Sequence, residues 1–374
     1  MADGRSIALV QDWLTGMRGG EKVLEVLCEL YPDADIVTLL HNKGAMSPAI
    51  EAMRIRTSFI NRLPWKATKY RRYLPLMPAA IELMDFSRYD LIISSSHAVA
   101  KAALPRRGAL HICYCHTPMR YIWDQYNDYF GRGKAGIGTR AAMLLATPVL
   151  RHWDLRTSAR VHHFIANSRN VAGRVERIYG RTAEVIHAPV NTEQFQVATH
   201  DEGYYLIVSA MVPYKRVDLA IEVFNRRNER LLVVGTGPER GRLERGANKN
   251  IEFLGWRQDD ELAKLYAGCK ALIFPGEEDF GIVPLEAMAS GKPVIAFAKG
   301  GALETVVDGS TGVFFRLQTS EELTRAIERC SSITFDPQTI RQHAEGFSRP
   351  RFRRQLNEFI ETAWQDHVRG QSGR

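Results

Sequence analysis

Short apolar runs alternate with helix-period segments along nearly the whole chain. Ser6-Ile7-Ala8-Leu9-Val10 reads as a strand and Gly20 to Leu30 as a helix. Asp90-Leu91-Ile92-Ile93-Ser94 is a strand entering the polar loop Ser94 to His97. His111-Ile112-Cys113-Tyr114-Cys115 is another, ending at His116-Thr117-Pro118. His163 to Asn167 and Ala183 to Ile186 complete a first set. The pattern restarts after a polar stretch from Asn191 to Gly203. Tyr205 to Val208, Leu231 to Val234, Ile251 to Leu254, Ala271 to Phe274, Pro293 to Ala296 and Gly312 to Phe315 read as strands. Val217 to Asn225, Asp259 to Gly268 and Pro284 to Ser290 read as helices between them. Continuous apolar strands separated by helices imply parallel sheets covered on both faces. The pattern therefore predicts an α/β protein of two Rossmann-like, doubly wound domains, with a boundary near residues 197–203. We assign 1–200 to the first domain, 201–348 to the second, and 349–374 to a basic helix crossing back to the first.

Composition narrows the class. The chain has 374 residues, 45% hydrophobic and 25% charged, the balance of a folded globular protein. Its net charge of +8 suits an anionic partner without naming one. Five cysteines, none at metal-ligand spacing, read as buried thiols in a reducing compartment. The N-terminus MADGRS lacks signal-peptide architecture. The longest apolar stretch, Ala141 to Leu150, is ten residues, whereas a spanning helix needs about 20. A cytoplasmic protein, peripheral on the inner face of the plasma membrane, is expected.

In open parallel sheets ligands bind beyond the carboxyl ends of the strands, and two facing domains would make a cleft there. The residues of interest follow strands. Glu278 lies on the loop after an apolar strand, and Glu286 eight residues later in the first turns of a helix. A bend at Gly281 and Pro284 folds that loop back. Carboxylates accept hydrogen bonds from vicinal diols such as sugar or ribose hydroxyls. Alternatively, Glu278 is a solvated loop charge and Glu286 a charge favoured by the helix dipole. Lys215 and Arg216 precede a helix, where cations oppose the dipole unless they serve an anion. Gly19 and Gly20 stand between the first strand and the first helix, a place for a phosphate or an ordinary turn. His116 at a strand end can bind a hydroxyl, steady a positive charge, or be structural. Asp33-Ala34-Asp35 has the DxD spelling but reads as a turn, and no metal cluster is evident.

The string Pro275 to Pro293 resembles the glutamate-x7-glutamate signature of retaining GT-B glycosyltransferases of family 4. Gly300 to Glu304, Asp308 to Gly312, Ser209 to Val217, Gly235 to Pro238 and Phe253 to Trp256 fit that family in order and spacing. Gly19 to Lys22 and Tyr114 to Tyr121 are similar to bacterial polysaccharide (O-antigen or exopolysaccharide) mannosyltransferases. The resemblance implies a GT-B enzyme moving a hexose, mannose from GDP-mannose being favoured, onto a lipid-linked or growing glycan. It implies catalytic roles for Glu278, which holds the transferred sugar, for His116 beside that sugar, and for Lys215 on the diphosphate. Donor contacts would come from Gly19, Gly20, Lys215, Arg216, Gly235, Gly255, Trp256, Phe280, Gly281, Ile282 and Glu286, the last on the ribose. Where the family has an arginine, five residues before Lys215, this chain has Ala210. No cofactor is implied, because cationic side chains replace Mg²⁺. A nucleotide-sugar epimerase and a catalytically silent binding protein are the competing readings.

Residues 52 to 81 hold Arg54, Arg56, Arg62, Lys66, Lys69, Arg71 and Arg72 and no acid, interleaved with aromatics including Trp65. Such a stretch suits an anionic membrane interface; nucleic acid or a merely solvated face would also fit the letters. The membrane is the expected partner, not nucleic acid.

Overall fold

A computed structural model describes residues 4–124, 126, 130, 131 and 136–372. Its contacts divide the chain into two compact units, one of residues up to Ala188 together with those from Phe352 on, the other Pro189–Arg351.

The first unit is built on a parallel sheet of seven strands: β1 (Ile7–Gln11), β2 (Asp35–Thr38), β3 (Arg54–Thr57), β4 (Leu91–Ser96), β5 (Leu110–Cys115), β6 (His163–Ala166) and β7 (Ala183–Val185), in the order β3-β2-β1-β4-β5-β6-β7. The second has six: β8 (Tyr204–Val208), β9 (Arg230–Val234), β10 (Ile251–Gly255), β11 (Cys269–Phe274), β12 (Val294–Phe297) and β13 (Gly312–Phe315), in the order β10-β9-β8-β11-β12-β13. In each sheet the strand order reverses beside the first strand, between β1 and β4 and between β8 and β11. There the crossover helices leave on opposite faces and a crevice opens at the carboxyl edge. The near-continuous apolar runs are explained by burial on both faces: every residue of β1, β2, β4 and β5 is buried.

Three differences from the sequence reading have physical causes. The strands β2 and β3 were not expected. Asp35 opens β2 with its carboxylate buried and ion-paired to Arg54 (2.9 Å) and Arg88, so half of the DxD spelling is strand, not turn. Arg54-Ile55-Arg56-Thr57 is an alternating edge strand, a period hidden inside the basic run. The polar stretch after Asn191 is anchored in the second unit by buried Phe195, whose ring meets Tyr266 edge-on at 5.7 Å; the contact division therefore falls at Ala188, ahead of residues 197–203.

The last helix, Arg349–Ser372, buries Phe352, Leu356, Ile360 and Ala363. Phe352 packs edge-on against Tyr114 at 5.7 Å, His367 bonds the Gly108 carbonyl at 3.0 Å, and Glu361 pairs with Arg5. All five cysteines are free and buried. Burial pushes the thiols of Cys28, Cys269 and Cys330 up to about 12, so they stay protonated and inert. Gly312 starts β13 so close to the Val294 carbonyl that a Cβ would overlap it. Gly312→Ala should lower stability by roughly 2–3 kcal/mol, read as a reduced denaturation midpoint at unchanged slope.

Candidate functional site

In the second unit, β8, β9 and β10 end in register: Val208 pairs with Val234, and Val234 with Gly255. Ser209, Gly235 and Trp256 therefore begin the loops along one carboxyl edge, with the β11 loop next to β8. The chain leaves β8 through a tight turn, Pro213–Lys215, and Arg216 adopts a left-handed backbone (φ 52°) before the helix Val217–Phe224. A non-glycine residue in that region is uncommon and costs energy that the surroundings must supply. Here they do. The Arg216 guanidinium bonds Asp218 and Gln318 (each 3.3 Å), and Gln318 also donates to the Pro275 carbonyl at 2.8 Å. One amide thus ties the β8 loop to the β11 loop.

Between those loops, Lys215 and Glu278 form a direct ion pair. The approach is close because Gly276 has no side chain: a Cβ there would stand 2.8 Å from the Lys215 Cα. The Glu278 carbonyl accepts the Gly301 N–H at 2.8 Å, and a Cβ on Gly301 would overlap the Phe280 backbone. Phe280 is itself buried and faces the Phe347 ring at 6.1 Å. Gly281, with φ 90°, caps the helix Ile282–Ala289. That helix carries Glu286, 7% exposed, which accepts a hydrogen bond from Tyr266 at 2.9 Å. Burial first, then the Glu286 charge, hold the Tyr266 hydroxyl well above its ordinary pKa, so it stays a donor. Nothing in the sequence pointed to Tyr266, which reaches Glu286 from a different helix.

Other residues expected here have additional reasons to be what they are. A Cβ on Gly235 or Gly237 would overlap the carbonyl of Ser209 or Met211, so both are needed for packing the β8 and β9 loops together. Gly255 is left-handed (φ 71°), and Trp256 is 68% exposed beside it.

In the first unit the matching row follows β1, β4 and β5, where Gln11 pairs with Ser95 and Ser96 with Cys115. Asp12 is fully buried, and its carboxylate accepts the backbone N–H groups of His97, Ala98, Val99 and Ala100 at 2.6–3.0 Å. It also lies 3.1 Å from His97 Nδ1. Asp12 and His97 were missed because neither belongs to a spaced motif. His116 Nε2 bonds Ser95 Oγ at 2.8 Å, and burial, then His97 and Arg120, push its pKa down to about 3. The imidazole is therefore neutral at physiological pH. A Cβ on Gly20 would sit 3.5 Å from His116 Nε2, so the structure brings these two candidates together. Gly19 and Gly20 open the helix Gly19–Leu30, whose N-cap Arg18 supplies no side-chain bond.

The basic stretch divides. Arg54 bonds the Asp33 carbonyl as well as Asp35, Arg56 bonds the Asp85 carbonyl and Tyr89, and Lys66 bonds His41 and Asn61. Arg62, Lys69, Arg71 and Arg72 are exposed, as is Trp65, whose backbone is left-handed (φ 53°). Among the described residues no cluster of three or more His, Cys, Asp or Glu is arranged to hold a metal.

Two family models match, Glycosyltransferase Family 4 over residues 17–194 and Glycosyl transferases group 1 over residues 190–345. Each model covers less than half of the chain, and together they run from residue 17 to residue 345, so the chain is similar to group 1 and family 4 glycosyltransferases along most of its length. An uncharacterized glycosyltransferase of Methanocaldococcus jannaschii is 33% identical over 171 residues, 44% of this chain and 48% of that protein. A GDP-mannose-dependent phosphatidylinositol monomannoside mannosyltransferase of Mycolicibacterium smegmatis is 29% identical over 192 residues, 43% of this chain and 50% of that one. The chain spans about half or less of the curated relatives it matches first. The Anabaena HepE structure with UDP and glucose superposes with a TM-score of 0.69 at 18% identity, over 96% of this chain and 99% of that one. The fold is GT-B, as the sequence led us to expect.

Glu21 follows Gly20 and is 4% exposed; burial, only partly countered by backbone N–H groups and Arg18, raises its pKa from 4.5 to about 7. The folded protein thus holds this proton more tightly than the unfolded chain, and stability falls as pH rises from about 4.5 through about 7. Glu21→Gln should remove that loss, gaining roughly 2–4 kcal/mol at pH 8 relative to pH 4 when denaturation midpoints are compared with wild type.

Proposed function

We propose that the protein is a retaining hexosyltransferase that takes mannose from GDP-mannose to a lipid-linked or growing glycan in cell-surface polysaccharide synthesis. The observation that carries the reading is the Lys215–Glu278 pair at the strand-order reversal of the second sheet. A departing nucleoside diphosphate gains negative charge as the glycosidic bond breaks, and a fixed cation aimed there stabilises that charge. Lys215 supplies it, with Arg216 alongside in place of the arginine that Ala210 lacks. Glu278 accepts hydrogen bonds from hydroxyls of the transferred sugar. Glu286, held by Tyr266, accepts those of the ribose. His116, neutral and steadied by Ser95, serves as a hydrogen-bonding partner for a sugar hydroxyl and not as a cation. The departing phosphate itself takes the acceptor proton. The choice of mannose follows the matched mannosyltransferase named above, and a UDP-bound neighbour supports a nucleotide-sugar donor.

Under this reading no metal is needed, and the enzyme is peripheral on the cytoplasmic face of the membrane, drawn by its exposed cations. Among the described residues no helix is long and apolar enough to cross a bilayer. A panel of nucleotide sugars, scored by nucleoside diphosphate release with a membrane lipid extract as acceptor, tests the donor; absence of GDP release from GDP-mannose overturns it. Glu286→Ala should weaken donor binding, and Glu278→Gln should lower turnover about 10²–10³-fold, by steady-state kinetics. Activity should survive EDTA; loss on chelation with recovery on Mg²⁺ or Mn²⁺ would show the opposite.

A further inference from the structure

Ala141 to Leu150, too short to span a bilayer, lies in the helix Ile137–Ser158. A surface helix ordinarily sends apolar residues inward and polar ones outward. This one is apolar on both sides over about 15 Å of its length, at 1.5 Å per residue. Met143, Leu150 and Trp153 face inward, in the core shared with Tyr70, Met77 and Ile81. Leu144, Leu145 and Val149 face out, 69%, 78% and 69% exposed. Pro148, on the same outer side, has no N–H for the Leu144 carbonyl, while Thr147 Oγ1 bonds the Met143 carbonyl at 2.6 Å on the inner side.

The surroundings identify what covers this face. No charge lies between Arg140 and Arg151, and beyond them come exposed His152 and Arg156. The only acid of the helix, Asp154, is buried and paired with Lys101 at 3.0 Å. Trp153 Nε1 and Arg160 both bond Glu82, at 3.1 and 2.7 Å, fixing this helix to the segment Met77–Glu82. That segment follows the stretch with exposed Arg62, Trp65, Lys69, Arg71, Arg72 and Leu76. Two elements of one core thus present apolar side chains with cations beside them, and their own acids are neutralised, Asp154 by Lys101 and the partly exposed Glu82 by Arg156 and Arg160. A second copy of the chain would bring the same cations against these. An anionic lipid surface complements them, with leucines among the acyl chains and guanidinium groups among the headgroups.

We propose that Leu144, Leu145 and Val149 insert into the anionic bilayer, so that this helix lies in the membrane plane and anchors the first unit. The inference deepens the reading of a lipid-linked acceptor and adds an apolar, salt-resistant component to the attraction of the cations. It is tested with the full chain and phosphatidylcholine vesicles containing phosphatidylglycerol. Wild type should sediment with them and keep part of its binding at high salt, where electrostatic attraction is screened. Replacing all three residues by Gln should reduce the salt-resistant binding tenfold or more, with circular dichroism and nucleotide-sugar binding unchanged. Replacing Lys69, Arg71 and Arg72 by Ser should remove mainly the salt-sensitive part. Because the native thiols are buried, Leu145→Cys can carry a single polarity-sensitive fluorophore, whose emission should shift to the blue on vesicles. Unaltered binding by the triple variant, an unshifted probe, or a wild-type dimer that the triple variant dissolves would each overturn the proposal. Nucleoside diphosphate release is scored separately, so a wrong donor assignment and a wrong membrane face give different results.

Discussion

Two loops meet backbone against backbone in the second unit, and the candidate chemistry depends on that approach. Gly276 lies on Lys215 and Gly301 on Phe280 with no room for a methyl group. A side chain on Gly276 would push the β8 and β11 loops apart and separate Lys215 from Glu278, and one on Gly301 would push the β12 loop off the β11 loop that carries Glu278. Gln318 and the strained Arg216 belong to the same arrangement: a left-handed arginine is tolerable because its guanidinium and its neighbouring carbonyls are tied down. The stiffness of the site thus comes from main chain, which places the central ion pair of Lys215 and Glu278.

The first unit reaches a similar end by a different device. Asp12 collects four backbone N–H groups, which would otherwise be buried donors without partners after β4. Its charge is satisfied by those dipoles, and the loop bearing His97 is fixed next to the β5 loop bearing His116. Burial then keeps His116 neutral. A carboxylate at the end of a strand therefore does structural work for an imidazole it does not touch.

Much of this was legible from the letters because parallel strands buried on both faces are nearly pure apolar runs. All strands of the second sheet were marked that way, and the spacing of Glu278 and Glu286 after one of them stood out. The misses share a cause. Asp35 to Thr38 begins with an acid whose partners, Arg54 and Arg88, are distant in sequence, so a strand resembled a turn. Arg54 to Thr57 is an edge strand whose charges masked its period of two. Tyr266 and Asp12 act through contacts that only the packed sheet creates. The basic run was read as one surface, whereas Arg56 and Lys66, both half-buried, and the exposed Arg54 are bonded within their own unit.

The last helix gives the first unit a discontinuous sequence. Residues 4–188 form its sheet, but Phe352, Leu356 and Ile360, which close over one side of it, are made more than 160 residues later. At about 5–20 residues per second, the β5 side around Tyr114 waits roughly 12–48 s during synthesis before Phe352 exists to cover it. The second unit, being continuous, can finish first although it is made second. Order of completion is thus the reverse of order of translation, and the half-made first unit is the species that chaperones would meet.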